Sequence, residues 1–189
     1  MKINLIDSLD DLTLGKYQEF MSLDVEDENY DSLVFSLFTG VSVSNVKNVS
    51  KKDIDSVMKH ITKAIQVKGK FQNRFTVNGV ELGLIPNLDK ITGGEYTDLV
   101  SYSSKEKDGY NPQLNRLIAV LYRPVTKNDK FGNYNIEKYN GTSGYVHLIN
   151  QLPMSIVNGV LGFFLTLSNN LEKNIQAYME EEQLRGVLL

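Results

Sequence analysis

Cysteine and tryptophan are absent from this chain of 189 residues, and histidine occurs only twice. Without cysteine there can be no disulfide framework, no thiolate zinc site and no thiol nucleophile. Two histidines, His60 and His147, cannot assemble an imidazole-rich metal site or a relay, and neither has a local acidic partner to orient it. An enzyme built from this chain would have to work with carboxylates, lysine, tyrosine or serine. Long apolar runs are missing too. The most apolar stretch, Ile156 to Leu167, is interrupted by Asn158, Gly159 and Gly162, and a membrane-spanning helix needs roughly twenty residues. It reads instead as a buried core helix. The first residues, Met1 to Asp7, lack a sustained apolar core and meet Asp10 and Asp11 at once, a pattern expected of a protein kept in a cytosol.

What is present describes an ordinary globular chain, with 41% hydrophobic and 23% charged residues and a formal net charge of -3. Thr13 is placed to cap a helix carrying Leu14, Tyr17, Phe20 and Met21, and the acidic run Asp24 to Glu28 leads into a second helix that Gly40 can stop in a left-handed conformation. Ser50 and Asp53 resemble a capping box. They open a third helix with Ile54, Val57, Met58, Ile61, Ala64 and Ile65 at helical spacing. Beyond Lys68-Gly69-Lys70 the texture changes. Asn78-Gly79, flanked by Phe75 and Val77 on one side and Val80, Leu82 and Leu84 on the other, predicts a β-hairpin closed by a type I′ turn.

Thr92 and Glu95 form a second capping-box pattern, and Asn111-Pro112 predicts the start of a helix that Pro124 must end. Residues 124–143, rich in Asn and Gly, read as a long loop pinned by Phe131, Tyr134 and Tyr139. Pro153 opens a final helix that could reach Leu184. The expected fold is therefore α+β and mainly α-helical. It comprises a helical N-terminal part (1–66), one central hairpin at about 70–85 with helices after it (67–152), and a long C-terminal helix with its tail (153–189), all in a single domain.

No motif commits the chain to chemistry. The acidic run lacks the Gly and the bidentate Glu of a calcium loop, with Asn29 and Phe35 at those two positions, and Gly93-Gly94 is not followed by the Lys-Ser or Lys-Thr of a phosphate loop. The expectation is no catalytic residue, no metal and no cofactor. Charge layout is more informative. Residues 1–31 hold nine acids against two lysines, whereas residues 47–74 hold Lys47, Lys51, Lys52, Lys59, Lys63, Lys68, Lys70 and Arg74 against only Asp53 and Asp55. Such poles suit self-association, an oppositely charged partner surface, nucleic acid, or pairing with each other inside the chain. The acidic isoelectric point of about 5.4 disfavours a dedicated nucleic-acid binder. At the far end, Val187, Leu188 and Leu189 follow a run of three glutamates, and such an apolar tail either folds back onto its own core or docks on a neighbour. The candidate interaction residues are thus Lys51, Lys52, Lys59, Lys63, Lys68, Lys70, Arg74, Val187, Leu188 and Leu189.

The order of several segments adds a family likeness. Leu12-Thr13-Leu14-Gly15-Lys16-Tyr17, Leu37-Phe38-Thr39-Gly40, the hairpin, Ile91-Thr92-Gly93-Gly94-Glu95-Tyr96-Thr97-Asp98, Leu121-Tyr122-Arg123-Pro124, the Tyr134 and Tyr139 loop, and Phe163-Phe164 follow one another along most of the chain. This succession resembles small morphogenesis proteins of tailed bacteriophages, particularly phages of gut bacteria. The resemblance implies a virion component near the head–tail junction or tail, or a tail-assembly chaperone. It implies no enzymatic activity and no cofactor. It also implies oligomerisation and other phage structural proteins as partners, no membrane, and a place in the host cytoplasm during assembly or in the virion. The alternative is a packaged or regulatory phage protein that touches nucleic acid through residues 47–74.

Overall fold

The computed structural model describes residues 8–65, 69–103 and 110–164. Its first helix, α1 (Leu14–Met21), starts as the sequence predicts, with the Thr13 hydroxyl accepting from the Lys16 amide. Helix α2 (Tyr30–Thr39) ends at Gly40, whose φ of 72° is the left-handed stop expected of it. After the short α3 (Val43–Val46), Ser50 accepts from the Asp53 amide and donates to its carboxylate, opening α4 (Lys51–Ile65). One stripe of α4 is buried through Val57 and Ile61.

Asn78 and Gly79 take positive φ, 49° and 78°, and join β1 (Arg74–Val77) to β2 (Val80–Leu84) with Val77 opposite Val80. That is the predicted type I′ geometry. The Thr92–Glu95 capping box is formed on both sides at the start of α5 (Gly93–Tyr102). Helix α6 (Leu114–Leu121) begins later than expected. Asn111 instead braces the preceding turn, accepting from the Gln113 amide and donating to the Tyr102 carbonyl.

The largest correction concerns residues 124–143, expected as a loop. Leu121 ends α6 because Arg123, preceding Pro124, is pushed out of the helical region. The chain then continues without a connector as β3 (Tyr122–Asn128), turns, and returns as β4 (Tyr134–Ile136). The sheet is a four-stranded antiparallel meander in the order β1-β2-β3-β4. Pro124 occupies an interior strand opposite Leu82, an uncommon position because it removes a ladder donor. Its carbonyl still accepts from the Glu137 amide. The register slips between Val125 and Lys127. The protein is thus an α+β fold, mainly α-helical, as expected, with a larger sheet than one hairpin.

Three glycines mark two close approaches. A side chain at Gly83 in β2 would meet the Tyr134 ring at 2.5 Å, so the ring of β4 lies over the bare backbone of β2. Gly69 and Gly159 face one another across backbone. A Cβ at Gly159 would lie 2.4 Å from the Lys70 carbonyl, so the segment entering the sheet crosses the last helix, α8 (residues 154–164), at a point where only glycine fits. The α8 helix follows Pro153, as expected. Its continuation towards Leu184 lies outside the described residues. A further short helix, α7 (Val146–Ile149), precedes it and carries the exposed His147.

The N-terminal helices and the sheet share one core. Leu12, Leu14, Val34, Phe35, Leu82, Ile118, Tyr122, Ile149, Leu152 and Val157 are all essentially inaccessible. Backbone bonds from Leu14 to Leu152 and from Met154 to Leu12 tie the first helix to the start of the last.

Candidate interaction surfaces

The basic segment is split by the fold. Lys51, Lys52, Lys59 and Lys63 are exposed on α4, where Lys51 pairs with Asp55 at 3.4 Å. Lys70 is exposed on the irregular segment that leads into β1. Arg74 belongs to the sheet. Its guanidinium lies 3.5 Å from Glu81, donates to Asn128 at 3.1 Å and stacks 5.1 Å from the Tyr134 ring centre. Arg74 is thus spent on cross-strand contacts and does not join the α4 lysines. Lys68, Val187, Leu188 and Leu189 lie outside the described residues.

The acidic run forms an exposed turn between α1 and α2. Asp24 accepts from the Glu26 amide at 3.0 Å and Asp27 from the Asn29 amide at 2.7 Å, each an Asx-type turn that holds the backbone. Val25 sits among them at 68% exposure. Among the described residues, no ion pair joins this turn to a lysine or arginine.

A third feature escaped sequence reading. Arg123 at the start of β3 and Glu95 in the first turn of α5 form an ion pair at 2.6 Å, with side chains only 6% and 4% exposed. The Arg123 guanidinium stacks 5.4 Å from the Tyr139 ring, and the Tyr139 hydroxyl bonds the Asp98 carboxylate. Burial acts to raise the Glu95 carboxyl. Hydrogen bonds from Thr92, with the charge and hydrogen bond of Arg123, outweigh it and hold the carboxyl below its ordinary value. Burial pushes the Tyr145 hydroxyl up to about 12, with Arg123 opposing and Glu137 and Glu95 adding to the rise. The Nε and Nη1 atoms of Arg123 and the Tyr145 hydroxyl are buried without a hydrogen-bond partner among the described residues. These groups lock α5, β3 and the 137–145 segment together. A buried arginine carries no periodicity signal, and Leu121-Tyr122-Arg123-Pro124 marks it only as the residue before a proline.

Of the three expected aromatic pins, two are pins. Tyr134 donates to the Leu84 carbonyl at 2.8 Å, and Tyr139 is held as described. Phe131 is not a pin. It stands 78% exposed at the tip of the β3–β4 turn, where Asp129 accepts from the Phe131 and Asn133 amides.

An apolar trough completes the surface. It comprises two adjoining hollows of about 370 and 310 Å³ that share Ser103, Leu117, Leu161 and Phe164 and lie between α5, α6 and α8. No helix of the described residues is long and apolar enough to cross a membrane, and no three His, Asp or Glu side chains among them converge to hold a metal ion. No protein-family model matches the chain, and neither a curated protein nor a solved structure shows significant similarity to it.

Proposed function

We propose that this chain is a non-enzymatic structural or assembly protein of a tailed bacteriophage, working through protein–protein contacts in head–tail or tail morphogenesis. The observation that carries this reading is the pairing of opposite exposed charges on one small helical unit. The turn at 24–31 presents carboxylates and α4 presents lysines, with no ion pair between them among the described residues. Exposed charges that do not serve the fold act on encounter and specificity. The order of segments, which resembles that of small phage morphogenesis proteins, points the same way.

The nucleic-acid reading draws less support. The segment 47–74 loses Arg74 to the sheet and Lys51 to Asp55, and the whole chain carries a net charge of -3, which opposes approach to a phosphate backbone. The decisive experiment has two arms, mass spectrometry of purified virions of the encoding phage and affinity capture of the tagged chain from infected cells. Presence in the particle, or capture with head–tail or tail proteins, supports the reading. Absence from the particle together with no viral structural partner overturns it.

A further inference from the structure

Resting on that reading, we propose that the partner met by α4 is a second copy of this chain, whose acidic 24–31 turn docks along the exposed lysine stripe of α4. At 100° per residue, Lys52, Ser56, Lys59 and Lys63 fall on one line of the helix. That line lies opposite the buried Val57 and Ile61 and spans about 16 Å at 1.5 Å per residue. All four are exposed, and the two acids of the helix, Asp53 and Asp55, lie to its sides. Lys59 and Lys63 are a like-charged i,i+4 pair, which offsets the favourable spacing of Asp55 and Lys59, so the stripe brings α4 little net stability of its own.

The turn has the complementary character. Its backbone is fixed by Asp24 and Asp27, and Glu26, Glu28 and Asp31 are exposed, as is Val25 between Asp24 and Glu26. Pre-ordering of this kind lowers the entropic cost of docking, and the exposed Val25 offers apolar area beside the acids. The two surfaces differ from one another. A contact between them is heterologous and leaves a free turn and a free stripe at each end, so it propagates into rings or open assemblies. A duplex would meet three lysines on the stripe and the acidic turn on the same molecule, a poorer match than the turn of a neighbouring copy.

Sedimentation velocity of the purified full chain tests this directly, with two charge-reversed variants. One carries Glu26→Lys, Glu28→Lys and Asp31→Lys, which turns the net charge of residues 24–31 positive, the other Lys52→Glu, Lys59→Glu and Lys63→Glu, each checked for native circular dichroism. The parent is expected to associate at low salt, with an association constant falling about tenfold or more as screening shortens the range of charge to about 8 Å. Each variant alone should remain monomeric, and an equimolar mixture should associate again, since every opposed pair of surfaces is then complementary. A chain carrying both reversals should behave as the parent and serves in place of any single variant that fails to fold. The proposal is overturned by a parent that is monomeric at every salt concentration, by variants that associate like the parent, or by a mixture that stays monomeric. A monomeric parent that binds duplex DNA through the same lysines also overturns it. A monomeric parent that is nonetheless captured with tail proteins would refute only the second copy, whereas absence of any viral partner would refute the function itself.

Discussion

The α5–β3 junction and the α4 helix treat charge in opposite ways. At the junction, Arg123 and Glu95 are 6% and 4% exposed, 2.6 Å apart and fastened to Thr92 and Tyr139. On α4, the lysines are exposed and the Lys51–Asp55 ion pair has side chains 80% and 62% exposed. Exposed pairs contribute roughly 0–1 kcal/mol, whereas removing one member of a buried pair costs about 3–5 kcal/mol because the other charge is stranded. The junction therefore belongs to the fold, and the α4 charge is free to serve contact with another molecule.

The contrast breaks most visibly at Arg123. Arg123→Ala should lower unfolding free energy by about 3–5 kcal/mol, measured by denaturant titration, since Glu95 stays buried without its cation. Arg123→Met combined with Glu95→Gln should recover most of that loss, because no charge is buried and Gln can still bond the Thr92 amide. The pH dependence has a defined sign. The Glu95 carboxyl is lowered in the folded state from 4.5, so its contribution is full above that unfolded value and disappears as pH falls through the lower, folded one. The stability difference between the parent and Glu95→Gln should hold steady from neutrality down to about pH 5 and shrink below it. An Arg123→Ala protein within 1 kcal/mol of the parent would mean that the pair is solvated in solution.

Much of the fold was legible because local rules governed it. Thr13, Gly40, Asn78-Gly79 and Thr92 with Glu95 each act over three or four residues, and each took the conformation its chemistry dictates. The second hairpin was hidden for a physical reason. Pro124 removes a donor from an interior strand, and the Asn- and Gly-rich turn at 128–133 reads as loop, so no alternation remained to signal β3 or β4. The Arg123–Glu95 pair joins residues 28 positions apart in sequence. It depends on α6 delivering its last residue straight into a strand, which no local pattern encodes. The charge poles were legible as composition. Their division between an α4 stripe and the sheet-bound Arg74 was not, because it needs the hairpin placed against β3.

A second, smaller effect tests the region where local rules prevailed. Gly79 has open space around it but a φ of 78°, so Gly79→Val should suffer backbone strain and not a clash. The expected loss is about 1–3 kcal/mol, visible as a lowered melting temperature, and Gly79→Asn should lose less because Asn tolerates the left-handed region. If Val is accepted without loss, the turn does not hold the register of Val77 against Val80.

The smallest effect is the sharpest test of the contrast. Lys59→Glu places a carboxylate four residues before Lys63, a favourable helical pair, and four residues after Asp55, an unfavourable one. Each interaction is worth about 0.2–0.5 kcal/mol and the two oppose. The stability of the isolated monomer, measured at a concentration and salt where no association occurs, should therefore stay within about 0.5 kcal/mol of the parent. A similar result is expected for Glu28→Lys in the exposed turn, whose carboxylate has no ion-pair partner among the described residues. A loss above 1 kcal/mol for either would place these charges in the service of the chain's own fold and erase the distinction between α4 and the α5–β3 junction.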